Sequence, residues 1–183
     1  NKLMARLLGQ IGRETDLCLG YFDGGNLRNA IPREAYALFG VPVKGVRRLF
    51  EIYERFTRDI AEEFRLTDPG ITFSIAEMPP TDTVLDAATR DGLLGSLLGV
   101  PNGVLAMSHA VPGLVETSTN LASVKFGPDR TITVTSSQRS SSESAKRAAA
   151  ASVEAVFRLA GAVVCLSGGY PGWPPGPGSR LLG

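Results

Sequence analysis

The apolar residues of this chain switch between two spacings, and they do so in the same order twice. A spacing of three and four marks one face of a helix; a spacing of two marks one face of a strand. Asn1 to Arg13 reads as helix, with Met4, Leu7, Leu8 and Ile11 on one face. Leu17–Phe22 reads as a strand, and Ala30–Phe39 as a second one after a polar stretch. A long helix is expected from about Lys44 to Leu66, with Val46, Leu49, Phe50, Tyr53, Phe56, Ile60 and Phe64 on one stripe. Asp68-Pro69-Gly70 stops it, and Ile71–Ala76 alternates as a strand.

The second half follows the same plan. A helix is expected from Asp82, a plausible N-cap, to about Leu98. A short strand at Gly103–Met107 and a long one at Glu116–Phe126 come next. Gly127-Pro128-Asp129-Arg130 is a turn, and Thr131–Ser137 alternates strictly. Ser140-Ser141-Ser142-Glu143 has the form of a capping box for a helix running to Ala160, with Gly161 as its C-cap and Ala149, Val153, Val156, Phe157 and Ala160 facing inward. Ala162–Leu166 is a last strand. The expected fold class is therefore α+β. An antiparallel sheet carries helices on one face, built from a ferredoxin-like α-β-β-α-β unit duplicated in halves 1–80 and 81–170.

The 183 residues, 43% apolar and 20% charged, are enough for one core. A net charge of +1 gives no electrostatic case for nucleic acid or an anionic membrane as partner. No apolar run reaches the length that spans a bilayer. Cys18 and Cys165 fall in apolar, strand-like segments and read as buried thiols of a cytoplasmic protein. His109 is the only histidine, and no C-x-x-C, H-x-x-x-H or H-x-D spacing accompanies it, so no self-contained metal site is expected. There is no G-x-S-x-G elbow and no Walker loop. A chain that opens inside a helix and closes on the Gly/Pro-rich residues 171–183 reads as excised from a longer protein, with that tail as a linker.

The stretch from Gly24 to Glu34 stands out because it is polar, carries two glycines and Pro32, and lies between apolar strands. Glycine permits positive φ or a close backbone approach. Pro32 belongs at a strand start or edge. Taken alone, the stretch reads as a hairpin connection. Asn29 within it reads as a turn residue, and Arg139 as a solvated surface arginine or a partner for Glu143.

Four segments change those readings together: Asn29-Ala-Ile-Pro-Arg-Glu, Gly113-Leu-Val-Glu-Thr-Ser-Thr-Asn-Leu-Ala, Arg139-Ser-Ser and Ser167-Gly-Gly-Tyr-Pro-Gly-Trp. In this order they resemble the aminoacyl-histidine (Xaa-His) dipeptidases, co-catalytic zinc metallopeptidases related to carnosinases. The part matched is the lid, or dimerisation, domain, so the resemblance makes residues 1–183 one such domain. It implies a domain that covers a dipeptide substrate held by the enzyme's own catalytic domain, and a homodimer. Two zinc ions and every catalytic residue would lie in that absent domain. No catalytic residue and no metal ligand carries over to this chain. Asn29 matches a lid asparagine that contacts substrate or transition state. Arg139 matches a lid arginine that binds the substrate's C-terminal carboxylate. Gly169, in the segment 168–173 expected as a hinge and aromatic wall where the lid rejoins the catalytic body, is expected to bind substrate too. His109 matches no role. By this resemblance the isolated chain is inactive. The rival expectation is a non-catalytic dimerisation or assembly module whose ferredoxin-like sheet pairs edge to edge.

Overall fold

The helical spacing at the start of the chain buries Ala5, Leu7, Leu8 and Ile11 in α1 (Lys2–Glu14), which fixes where the sheet must lie. In the computed structural model, which describes residues 1–81 and 83–172, the order continues with β1 (Cys18–Gly24), β2 (Ala35–Gly40) and α2 (Val46–Glu63). It goes on through α3 (Ala87–Gly99), β3 (Gly103–Met107), β4 (Val115–Phe126), β5 (Ile132–Ser140) and α4 (Glu143–Leu159). This is an α+β fold with a five-stranded, wholly antiparallel sheet. The order helix–strand–strand–helix recurs, with β3 added in the second half. No helix among the described residues is long and apolar enough to cross a membrane.

β4 organises the sheet. Its one side pairs with β5 from Thr117 to Phe126. Its other side is shared: β3 pairs with Val115 to Thr119, and β1 arrives at Val124. Between those two partners the β4 backbone is left without a strand neighbour, and side chains take over. Leu121 N–H donates to Asn102 Oδ1 at 2.7 Å, and Leu121 C=O accepts from Asn1 Nδ2 at 2.9 Å. A buried backbone pair left open here would cost about 1–3 kcal/mol per group. A bulge between Leu121 and Ser123 also turns the strand over. Thr117, Thr119 and Leu121 face the helices before it, and Ala122 and Val124 after it.

The helices cover that inner face. Phe22 and Leu19 from β1 meet Leu8 and Ile11 of α1, Ile52, Phe56 and Ile60 of α2, and Leu97 of α3, all buried. Each such side chain contributes about 1.5–3 kcal/mol when fully buried. Phe56 also meets Phe73 edge to face, with ring centroids 5.5 Å apart.

Several expectations change. In α2 the buried stripe is Leu49, Ile52, Phe56 and Ile60, while Val46 and Phe50 are exposed, so the stripe is rotated from the one expected. The second strand starts at Ala35 rather than Ala30, because Ala30 C=O is taken by a side chain and Pro32 has no N–H to give. Ile71–Ala76 keeps its alternation, with Ile71, Phe73 and Ile75 packed on the core, yet it joins no ladder. Ala162–Leu166 joins none either, and its Val163 and Leu166 are exposed. Alternation requires burial of one face, not a hydrogen-bonded neighbour, so it marks extended backbone without guaranteeing a sheet.

The helix N-termini shift as well. α3 begins at Ala87 with Asp86 as N-cap, accepting from Thr89 N–H at 3.0 Å; the expected cap, Asp82, lies outside the described residues. α4 is capped by Ser142, not Ser140, and Glu143 is spent on other partners instead of closing a capping box. Gly161 does take positive φ (79°) just past α4, as its sequence position implied. Both cysteines are exposed, contrary to the buried reading, because Cys18 begins its strand pointing outward and Cys165 lies in the unpaired segment after α4.

Candidate functional site

The outer face of the sheet, opposite the helices, carries the polar residues singled out by the sequence. Arg139 is the penultimate residue of β5 and pairs across the ladder with Ser118. Thr117 and Thr119, on either side of Ser118, point inward, so the Ser118–Arg139 pair points outward. The guanidinium is exposed and forms no ion pair among the described residues. Glu143 is not its partner. That carboxylate instead binds Lys146 Nζ at 2.6 Å and Gly172 N–H at 2.8 Å. The ammonium and the backbone N–H together hold the Glu143 carboxyl below the usual glutamate range. α4 begins just after Arg139, with Ser142 as its cap.

Asn29 stands at the tip of the 25–34 connection and is exposed. The connection runs beside β4 at the bulge. Gly25 (φ 70°) presses so closely on Ala122 that an added Cβ would lie 1.9 Å from its carbonyl oxygen. Farther on, Asn120 Nδ2 donates to Ala30 C=O at 2.8 Å. Asn120 pairs with Ser137 across the ladder, two residues from the Ser118–Arg139 pair and on the same face. That separation is about 7 Å along the strand. The point where the Asn29 loop is attached and the base of Arg139 are therefore neighbours on one surface.

Gly169 is exposed and open: an added Cβ there would meet no atom within 4 Å. The close approach falls at Gly172 instead, where a Cβ would lie 2.1 Å from Ser140 C=O. Lys146 Nζ also holds Tyr170 C=O at 2.8 Å. The segment 170–172 is thereby docked against Ser140 and Glu143, next to Arg139 along the chain. Trp173 and the rest of the tail lie outside the described residues. His109 is exposed in the bend after β3.

The described residues include no group of three His, Cys, Asp or Glu side chains that could hold a metal ion. What the surface can do is grip an anion with one unpaired guanidinium and offer an amide nearby. Gly25 has both the positive φ and the close backbone approach that its stretch implied, whereas Asn120, Lys125 and Gly172 went unread as individual residues. Asn120 lay within a segment already singled out, and its one local signal was a polar side chain at an outward position of a strand.

No protein-family model matches the chain. Over 182 residues it is 32% identical to the cytosol non-specific dipeptidase of Escherichia coli (strain K12), covering 100% of this chain and 37% of that protein. The crystal structure of aminoacylhistidine dipeptidase from Vibrio alginolyticus matches with a TM-score of 0.93 and 34% sequence identity, again over 100% of this chain and 37% of that one. The chain thus spans little more than a third of the length of the dipeptidases it matches.

Proposed function

We propose that this chain, homologous along its length to part of the cytosol non-specific and aminoacylhistidine dipeptidases, is the lid domain of a cytoplasmic dipeptidase acting on Xaa-His type dipeptides. The observation that carries the reading is the whole-chain likeness to one part of such an enzyme, at a TM-score of 0.93. The lid lies over the substrate and contributes contacts, while the reaction belongs to a catalytic domain outside these residues. The two zinc ions implied by the family, with the activated water they would supply, belong to that domain.

The chain's own part is to read the ends of a small substrate. Two residues of extended backbone span about 7 Å. That is also the spacing along the ladder between the Asn120 pair, which holds the Asn29 loop, and the Arg139 pair. Arg139 binds the C-terminal carboxylate through paired charge-assisted hydrogen bonds, which a planar guanidinium makes better than an ammonium. The Asn29 amide donates to the carbonyl oxygen as it gains charge, and fixed donors of this kind lower a barrier by about 3 kcal/mol. Gly169 leaves its backbone open to the substrate beside them. Closure of the lid excludes water from the dipeptide. The isolated chain has no peptidase activity at any zinc concentration.

The test is the full-length protein on a Xaa-His dipeptide. Arg139→Ala lowers kcat/KM by about 100-fold or more, and the difference shrinks on a C-terminally amidated substrate. Unchanged kinetics remove Arg139 from the site. A second reading, dimerisation, is favoured by one observation. β3 is an edge strand with Val104, Leu105 and Met107 exposed, a surface that pairs readily with a copy of itself. Sedimentation of Leu105→Lys tests it: a shift from dimer to monomer supports that role.

A further inference from the structure

Apart from Pro32, half-buried beside Gly25, the 25–34 connection has no apolar anchor of its own. Leu27 is 67% exposed and Ile31 is 82% exposed, and the loop's internal backbone bonding is one turn, Ala30 N–H to Leu27 C=O at 3.2 Å. A polar loop of this length stays in place only if groups outside it hold it. Three such ties occur, and all come from the bulged stretch of β4. The Ala122 carbonyl meets Gly25, at a position where no side chain fits. Lys125 Nζ donates to Asn26 Oδ1 at 2.9 Å, and is itself aimed by Asp23, whose two carboxylate oxygens lie 2.8 and 3.0 Å away. Asn120 Nδ2 holds Ala30 C=O, the residue next to Asn29.

We propose that Asn120 and Lys125 are positioning residues that fix the Asn29 amide relative to Arg139. The inference rests on the lid reading above and deepens it. The logic is geometric. Asn120 and Ser118 are alternate residues of one strand; the first holds the Asn29 loop and the second pairs with Arg139. Both contacts to a dipeptide are thereby referred to one rigid element. The loop arrives already ordered, so binding does not have to order it. A displacement of about 1 Å at such a group costs on the order of 100-fold in rate, which gives a remote tether a kinetic signature.

The experiment uses the full-length protein. Asn120→Asp keeps the shape but replaces the donor with an oxygen facing Ala30 C=O. Expected are a fall in kcat of about tenfold or more with KM changed less than about threefold. Amide exchange at residues 26–34 quickens about tenfold, with α1 and α2 unchanged. Adding Asn29→Ala to Asn120→Asp lowers kcat less than about threefold further, because the two act through one contact. Lys125→Met gives a smaller change of the same kind and serves if Asn120→Asp folds poorly. Retained kcat in both variants, beside an impaired Asn29→Ala, overturns the positioning role, whether or not the loop is freed. Silent Asn29→Ala and Arg139→Ala variants overturn the lid reading instead, and the positioning role with it. The exchange data then report the tethers alone.

Discussion

Two of the sheet's three hairpins, β1–β2 and β4–β5, are closed by opposite means. The β4–β5 turn holds itself. Gly127 N–H donates to Thr131 C=O at 2.8 Å, Arg130 N–H to Gly127 C=O at 3.2 Å, and the Thr131 hydroxyl to Asp129 Oδ1 at 2.6 Å. Every partner is a near neighbour in the chain. The β1–β2 connection is held by Ala122, Lys125 and Asn120, all about ninety or more residues away in sequence. The turn closed locally spends its Asp129 and Thr131 side chains on itself. A loop held from outside keeps its own side chains, Arg28 and Asn29 among them, free and exposed. The segment 170–172 belongs to the second type, held by Glu143 and Lys146.

The largest way to break this contrast is Gly25→Ala. The new Cβ would lie 1.9 Å from Ala122 C=O, at a φ of 70°. Left-handed strain and overpacking add, so unfolding free energy falls by about 2–4 kcal/mol. Urea denaturation measures it. A change below about 0.5 kcal/mol would mean that the loop is not held at Gly25. Gly127→Ala is the matched control: its closest contacts would be the Asp129 and Thr131 side chains, at 2.6 and 2.8 Å, and those can move.

The same contrast explains what the sequence disclosed. Most helices and strands followed from periodicity, since the α1 stripe and the β5 alternation are properties of neighbours in the chain, though the α2 stripe is rotated. Gly127-Pro128-Asp129-Arg130 was legible for that reason. Asn29 and Arg139 were singled out by resemblance, and no local rule distinguishes Arg139 from any exposed arginine. Asn120, Asn102 and Lys125 were not legible, because their partners are set by the packing of β1 and β3 on one side of β4. The ladders missing at Ile71–Ala76 and Ala162–Leu166 teach the same point: periodicity fixes a face but not a neighbour.

Acid sharpens the comparison at the other externally held segment. The Lys146 ammonium, then Gly172 N–H, lower the Glu143 pKa from its ordinary 4.5. A carboxylate with a depressed folded pKa contributes stability that is whole above the unfolded value and is lost as pH falls through the folded one. The tie to 170–172 is therefore intact at neutral pH and opens as pH drops below about 4.5. Amide exchange of Gly172 should quicken there in the native protein and be independent of pH in Glu143→Gln after correction for intrinsic rates. Identical pH profiles in the two would sink the latch.

The smallest effect should have the opposite sign. Arg130 is the one residue other than glycine with positive φ among the described residues, at 65°. It sits in the self-closed turn, and the bond it makes there is through its backbone, to Gly127 C=O. Strain of about 1 kcal/mol accompanies a side chain in that conformation. Arg130→Gly removes the strain but gives the unfolded chain more freedom, worth about 0.4–1 kcal/mol against folding. The two nearly cancel, with a net gain of about 0.5 kcal/mol or less. Thermal denaturation should show Tm unchanged or raised by about 2 °C, and kinetics on a dipeptide unaltered. A clear fall in Tm would show that the Arg130 side chain holds the β4–β5 turn from outside its backbone. The two hairpins would then differ in degree and not in kind.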